Sequence, residues 1–167
     1  MSLEPAKAKF KLIGNVSLYS FPAHFTYEDV LALRRAGDLD KYLIERDDNL
    51  VVDAGLQQVL EYLIGNSPTA PTHNSVGSGT NNPAAGDTNL QTSIARLTIT
   101  NKYRVSLTAY YDTFWSTADG AGTWAETGIH NASSGGTMLC RKKFSSTFTK
   151  SSGNTALVAW SITAAAV

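Results

Sequence analysis

Apolar positions follow a helical period in only two places along this chain and a strand-like pattern over most of the rest. The run Phe10-Lys-Leu-Ile-Gly-Asn-Val-Ser-Leu-Tyr-Ser-Phe21 has the composition of a strand, with hairpin or bulge chemistry at Gly14-Asn15 and a stop at Pro22. Thr26 then predicts an N-cap, with Glu28 and Asp29 in the first turn where the helix dipole favours anions. Val30, Leu31 and Leu33 supply an apolar face, Arg34 and Arg35 fall in the last turn, and Gly37 offers a C-cap. Asp38 to Ile44 reads as a further helical turn and Glu45 to Asn49 as a solvated turn. Leu50-Val-Val52 is a short predicted strand, and Asp53 is the expected N-cap of a second helix. In that helix Leu56, Val59, Leu60, Leu63 and Ile64 fall at i, i+3, i+4, i+7 and i+8, a single stripe expected to face a core, with Gly65 closing it.

After Gly65 the pattern changes. Residues 66–89 mix proline and glycine with small polar side chains and predict one long loop. From Leu90 onward the pattern is that of strands. Ile94–Ile99 alternates in part, and Tyr103–Trp115 reads as one strand with Tyr103, Val105, Leu107, Ala109 and Tyr111 on one face. Thr123–Ile129, Thr137–Phe148 and Thr155–Ile162 follow, separated by glycine turns. The expected fold is mainly β: an antiparallel β-sandwich or jelly-roll-like domain with two short N-terminal helices. Residues 1–48 would supply a terminal arm (Met1–Lys9), a strand and a helix. Residues 49–167 would supply the second helix and the β core, the whole forming one compact domain.

Composition narrows the function more than it shapes the fold. Charged residues make up 17% of the 167, well below the usual quarter, and the formal net charge is zero, which leaves no basic field for nucleic acid. Cys140 is the only cysteine, so no intrachain disulfide forms, and it reads as a small buried hydrophobe. Met1-Ser-Leu-Glu-Pro-Ala-Lys7 has no apolar signal region, and no run approaches the ~18 apolar residues of a membrane span. Synthesis in a cytoplasm, no membrane and no nucleic-acid partner are the expectations.

Candidate chemistry is sparse. Gly77-Ser-Gly79-Thr80 lacks the Gly-Lys-Ser/Thr ending of a phosphate-binding loop and leads to a strand, so it reads as a turn. His24, His73 and His130 stand apart from one another and from Cys140, without metal-ligand spacing. Ser, His and Asp occur without a nucleophile elbow, Asp38/Asp40 and Asp47-Asp48 read as solvated charge, and Arg141-Lys142-Lys143 as an inter-subunit or solvent face. No enzyme, cofactor or metal is expected. The aromatic strand offers one alternative, a glycan platform built from Tyr110, Tyr111 and Trp115.

Taken together, several segments resemble a family of small tailed-bacteriophage virion proteins. These are the helix closed by Gly65, the loop Gly77-Ser-Gly79-Thr80…Pro83…Asp87-Thr88-Asn89-Leu90, and Arg96 leading a strand. Trp124-Ala-Glu-Thr-Gly-Ile129, Gly135-Gly-Thr-Met-Leu-Cys-Arg-Lys-Lys-Phe144 and Leu157-Val-Ala-Trp-Ser-Ile162 complete the set. The resemblance runs from Asn49 to Val167. It implies a virion component made in the host cytoplasm, either a capsid decoration (cement) protein or a head or tail fibre protein. The partners it implies are the major capsid protein or other virion proteins, with trimers as the favoured homo-oligomer. A long loop is costly to order in an isolated domain, which points to contacts with other chains. The expected contact residues are Phe10, Leu12, Val16, Leu18 and Phe21 on the first strand, and Val76, Thr80, Pro83 and Asp87 in the loop.

Overall fold

A computed structural model describes residues 10–166. The expected terminal arm, residues 1–9, lies outside the described residues, as does Val167. The described chain is mainly β, as its sequence pattern predicts. Nine antiparallel strands run β1 (Phe10–Pro22), β2 (Leu43–Val51), β3 (His73–Gly77), β4 (Ser93–Thr98), β5 (Asn101–Val105), β6 (Thr108–Trp115), β7 (Gly122–His130), β8 (Met138–Lys150) and β9 (Asn154–Ala166). Two helices, α1 (Tyr27–Ala36) and α2 (Asp53–Leu63), and a 3-10 turn at Leu39–Tyr42 accompany them.

The strands hydrogen-bond in the single order β4-β3-β7-β8-β2-β1-β9-β6-β5. The two edge strands, β4 and β5, are consecutive in the chain and joined by only Ile99-Thr100. Ile99 N–H donates to Thr72 O on one side of this crossing, and Thr100 N–H donates to Asp112 O on the other, both at 2.8 Å. The sheet therefore curls and brings its two edge strands to one corner at Ile99-Thr100, where β4 and β5 follow one another without pairing. Inside the curl, Val16, Leu18, Val158 and Trp160 from one half pack with Val76, Trp124, Ile129 and Phe148 from the other. Outside it, α1 and the 3-10 turn cover Tyr19, Phe21, Leu157 and Phe114.

The first helix forms as its caps predict. Thr26 and Asp29 make a reciprocal capping box, and Gly37 closes the helix in the left-handed conformation. Several other expectations are corrected. Gly14-Asn15 makes no hairpin, because β1 pairs with β9 without a break from Phe10↔Ala166 to Pro22↔Asn154. Residues 10–48 are thus built into the sheet by β1 and β2. Glu45–Asn49 is strand, not turn, since it pairs with β1 from Gly14 to Leu18. His73–Gly77, inside the expected loop, is a strand held between β4 and β7. The long strand expected over Tyr103–Trp115 is a hairpin, turning at Ser106 (φ 51) and Leu107, with no glycine or asparagine to announce it.

The largest correction concerns α2. Its N-cap is Val52, not Asp53, and its leucine stripe does not enter the core. The helix instead buries Gly55 and Gln58, while Leu60, Leu63 and the following Ile64 are 59%, 75% and 72% exposed. The cause is a close approach: a Cβ on Gly55 would stand 2.3 Å from Leu139 O on β8. Gln58 then donates its amide to Thr69 O, and Val52 N–H bonds Leu139 O at 3.1 Å. Helix propensity alone would make Gly55→Ala stabilising by about 1 kcal/mol. Collision with the β8 backbone reverses the sign, so Gly55→Ala is expected to cost about 2 kcal/mol in urea unfolding. Gln57→Ala, on the solvent side of the same helix, should stay within about 0.5 kcal/mol.

Candidate functional site

The described residues carry one extensive buried charge network and one large exposed apolar face. The network is centred on Glu126 of β7, which is fully buried. Register shifts between Trp124 and Glu126, so Trp124 faces the core while Glu126 turns toward the loop over residues 78–92. The backbone N–H groups of Gly79, Gln91 and Thr92 donate to its carboxylate at 3.0, 3.1 and 2.8 Å. Arg141 of β8 donates to the same carboxylate through Nε at 2.9 Å, and reaches Asp87 through Nη1 at 2.5 Å and Asn81 O through Nη2 at 3.2 Å. Asp87 in turn accepts from Ala84 N–H. Burial raises the Asp87 pKa, but the Ala84 and Arg141 hydrogen bonds outweigh it and hold the carboxyl below the usual range. A Cβ at Gly79 would lie 2.3 Å from Glu126 Oε1, so the glycine leaves the space that the carboxylate fills. Every lone pair of Glu126 is engaged in holding structure.

A second polar cluster lies beside it. Arg96 donates to Ala132 O, Gly135 O and Asn89 Oδ1, and its Nη2 comes within 3.5 Å of His130 Nε2. Buried Asn74 donates to Thr127 Oγ1 and Gly128 O, and Ser75 Oγ lies 2.7 Å from His130 Nε2. Burial, reinforced by Arg96 and then His73, pushes His130 down to about 3. His73 and His130 are cross-strand partners, yet no group of three or more His, Cys, Asp or Glu that could hold a metal occurs among the described residues.

Comparison with protein-family models, with curated proteins and with solved structures finds no match. Function therefore has to be argued from where the fold puts each residue. Val16, Leu18, Phe21 and Val76, expected as contacts, are buried in the chain's own core and out of a partner's reach. Thr80 is exposed, while Pro83 and Asp87 are half-buried, Asp87 on Arg141. The loop's order comes from Glu126 and Arg141 and does not require another chain. The basic run is likewise engaged internally: Lys142 pairs with Asp47 and Lys143 donates to Asn82. Trp115 is buried in the core, and Tyr110 and Tyr111 point to opposite faces of β6, so these three rings form no common platform. Tyr110 stacks instead on Tyr103, centroids 4.8 Å apart. That pair borders an open groove of about 520 Å³ with Arg34 and Asp112. There Arg34 forks onto Asp112 at 2.5 and 3.0 Å, and Tyr27, also bonded to Asp112, is pushed up to about 12 by burial first and Asp112 second.

The apolar face combines a ridge and a groove. Leu56, Leu60, Leu63 and Ile64 form the ridge along α2. Beside it a groove of about 420 Å³ is lined by Phe10, Leu12, Val59, Leu107, Ala109 and Tyr111. Phe10 and Leu107, of which the first was an expected contact, are 64% and 66% exposed at its rim. Tyr62 lies near enough to Tyr111 to help raise it, after burial and Cys140, to about 12. No helix among the described residues is long and apolar enough to cross a membrane. The sequence signal for this face was the leucine stripe itself, assigned to the wrong side.

Two measurements test the buried groups. Glu126→Gln removes one partner of a buried pair and should cost about 3 kcal/mol in urea unfolding. Adding Arg141→Met should recover part of that loss, because the second buried charge goes too. The His130 pKa lies below its unfolded value near 6.5, so the unfolded chain binds a proton that the folded chain refuses. Stability should therefore fall with pH from about 6.5 to 4.5, by about 1.4 kcal/mol per unit from this group. His130→Gln should flatten that slope in urea titrations run across the window.

Proposed function

We propose that this chain is a non-enzymatic bacteriophage virion structural protein, most concretely a capsid decoration protein that binds the assembled major-capsid lattice. One observation carries the reading: the curled sheet presents a broad apolar face that the other described residues leave uncovered. Isolated domains rarely expose contiguous apolar patches of this extent, and those that do use them in association. The residues that resemble virion proteins add to this, because Gly79, Asp87, Arg96, Glu126 and Arg141 belong to the two adjoining polar clusters that hold the loop and the β7–β8 turn. On this account the family-like motifs build a rigid body, sandwich- or jelly-roll-like in use, and the faces around it make the contacts. Binding the assembled shell and not its separate subunits would stabilise the lattice by linkage.

A second reading, a fibre or receptor-binding module contacting a host glycan, draws on the stacked Tyr103–Tyr110 pair beside Arg34 and Asp112. Quantitative mass spectrometry of purified virions separates the two. The decoration reading expects about one copy per major-capsid subunit and a shell that loses thermal stability when the protein is stripped away. A handful of copies per particle would contradict it and favour the glycan module, and absence from virions would contradict both.

A further inference from the structure

We propose that the apolar face is the interface between two copies of this chain, related by a two-fold axis that seats the α2 ridge of each in the groove of the other. The inference deepens the assembly role given to this face above and rests on that reading. Ridge and groove lie side by side: Leu56 borders Phe10 and Leu12 on one side, and Val59 joins Phe10 and Leu107 in the groove wall. A surface that carries a knob next to a matching hole is complementary to itself under two-fold rotation, the defining property of an isologous contact.

The large apolar side chains of this face, Phe10, Leu56, Leu60, Leu63, Ile64 and Leu107, are each 41–75% exposed and lie together, unlike the scattered single apolar residues of an ordinary surface. Charge at the rim points the same way. The helix carries Asp53 and Glu61 and no basic residue, while Arg104 lines the groove. Arg104 forms no salt bridge among the described residues. Two-fold pairing sets the acidic edge of each helix against the basic edge of the partner's groove, a match that also steers encounter. Thr80, exposed on the 78–92 loop, belongs to neither the ridge nor the groove and stays open to other virion proteins.

Sedimentation of the purified full-length chain tests this without virions, so its outcome is separate from the copy-number measurement. The expected result is a dimer with a dissociation constant in the micromolar range or below. Leu63→Glu on the ridge and, separately, Leu107→Glu on the groove rim should each weaken it at least 100-fold. Far-UV circular dichroism should be unchanged in both, since both side chains are exposed. Sedimentation as a monomer at about 100 µM, as a trimer, or as a dimer that both substitutions leave intact would each overturn the proposal.

Discussion

A carboxylate taken wholly out of water has to be satisfied on every lone pair, and in this fold Glu126 is satisfied by the very segment that it organises. Three backbone N–H groups from the 78–92 loop and the guanidinium of Arg141 converge on it. Desolvating such a pair is expensive, and only dense hydrogen bonding offsets the cost. The consequence is reciprocal. The loop folds back over β7 and β8 because its amides find the carboxylate, and the carboxylate can be buried because the loop supplies those amides. Asp53 N–H bonding Ala85 O then ties the start of α2 to the same loop, so the helix position depends on the network as well.

That dependence fixes which side of α2 faces outward. Val52 anchors the helix start against Leu90 and Met138, and Gly55 lets the helix axis sit close on the β8 backbone. Once these small contacts are made, the leucines at i, i+4 and i+7 have no core left to enter. A helix held by its smallest residue and its single buried amide exposes its largest ones. The curled sheet reinforces the outcome, since its interior is already filled by three tryptophans and the β-branched residues around them. Apolar surface that cannot go inward is left for association.

Much of this was legible in the sequence, and the failures have physical causes. The cap residues of α1, Thr26, Asp29 and Gly37, act locally, and local signals survive folding. β7, β8 and β9 announce themselves by composition and glycine turns and lie where expected. β3 was hidden because His73-Asn-Ser-Val-Gly77 is polar. It is buried all the same, since Asn74 and Ser75 find Thr127 and Gly128 across the sheet. The Ser106 turn carries no glycine or asparagine, so Tyr103 and Tyr110 read as opposite faces of one strand when they are cross-strand partners. A helical period reports that one face is apolar and says nothing about which way that face points. The charge network was visible only as scattered letters, because 15 residues separate Glu126 from Arg141 and 54 separate Arg141 from Asp87.

The central claim is that the loop is ordered from within the chain. Amide hydrogen exchange on the isolated protein tests it most directly, residue by residue. The account predicts that Gly79, Gln91 and Thr92 exchange as slowly as the amides of β8, while Thr80 and Ala85, which face solvent, exchange quickly. Fast exchange at all five positions in a folded sample would contradict it, and would return the ordering of the loop to contacts with other chains.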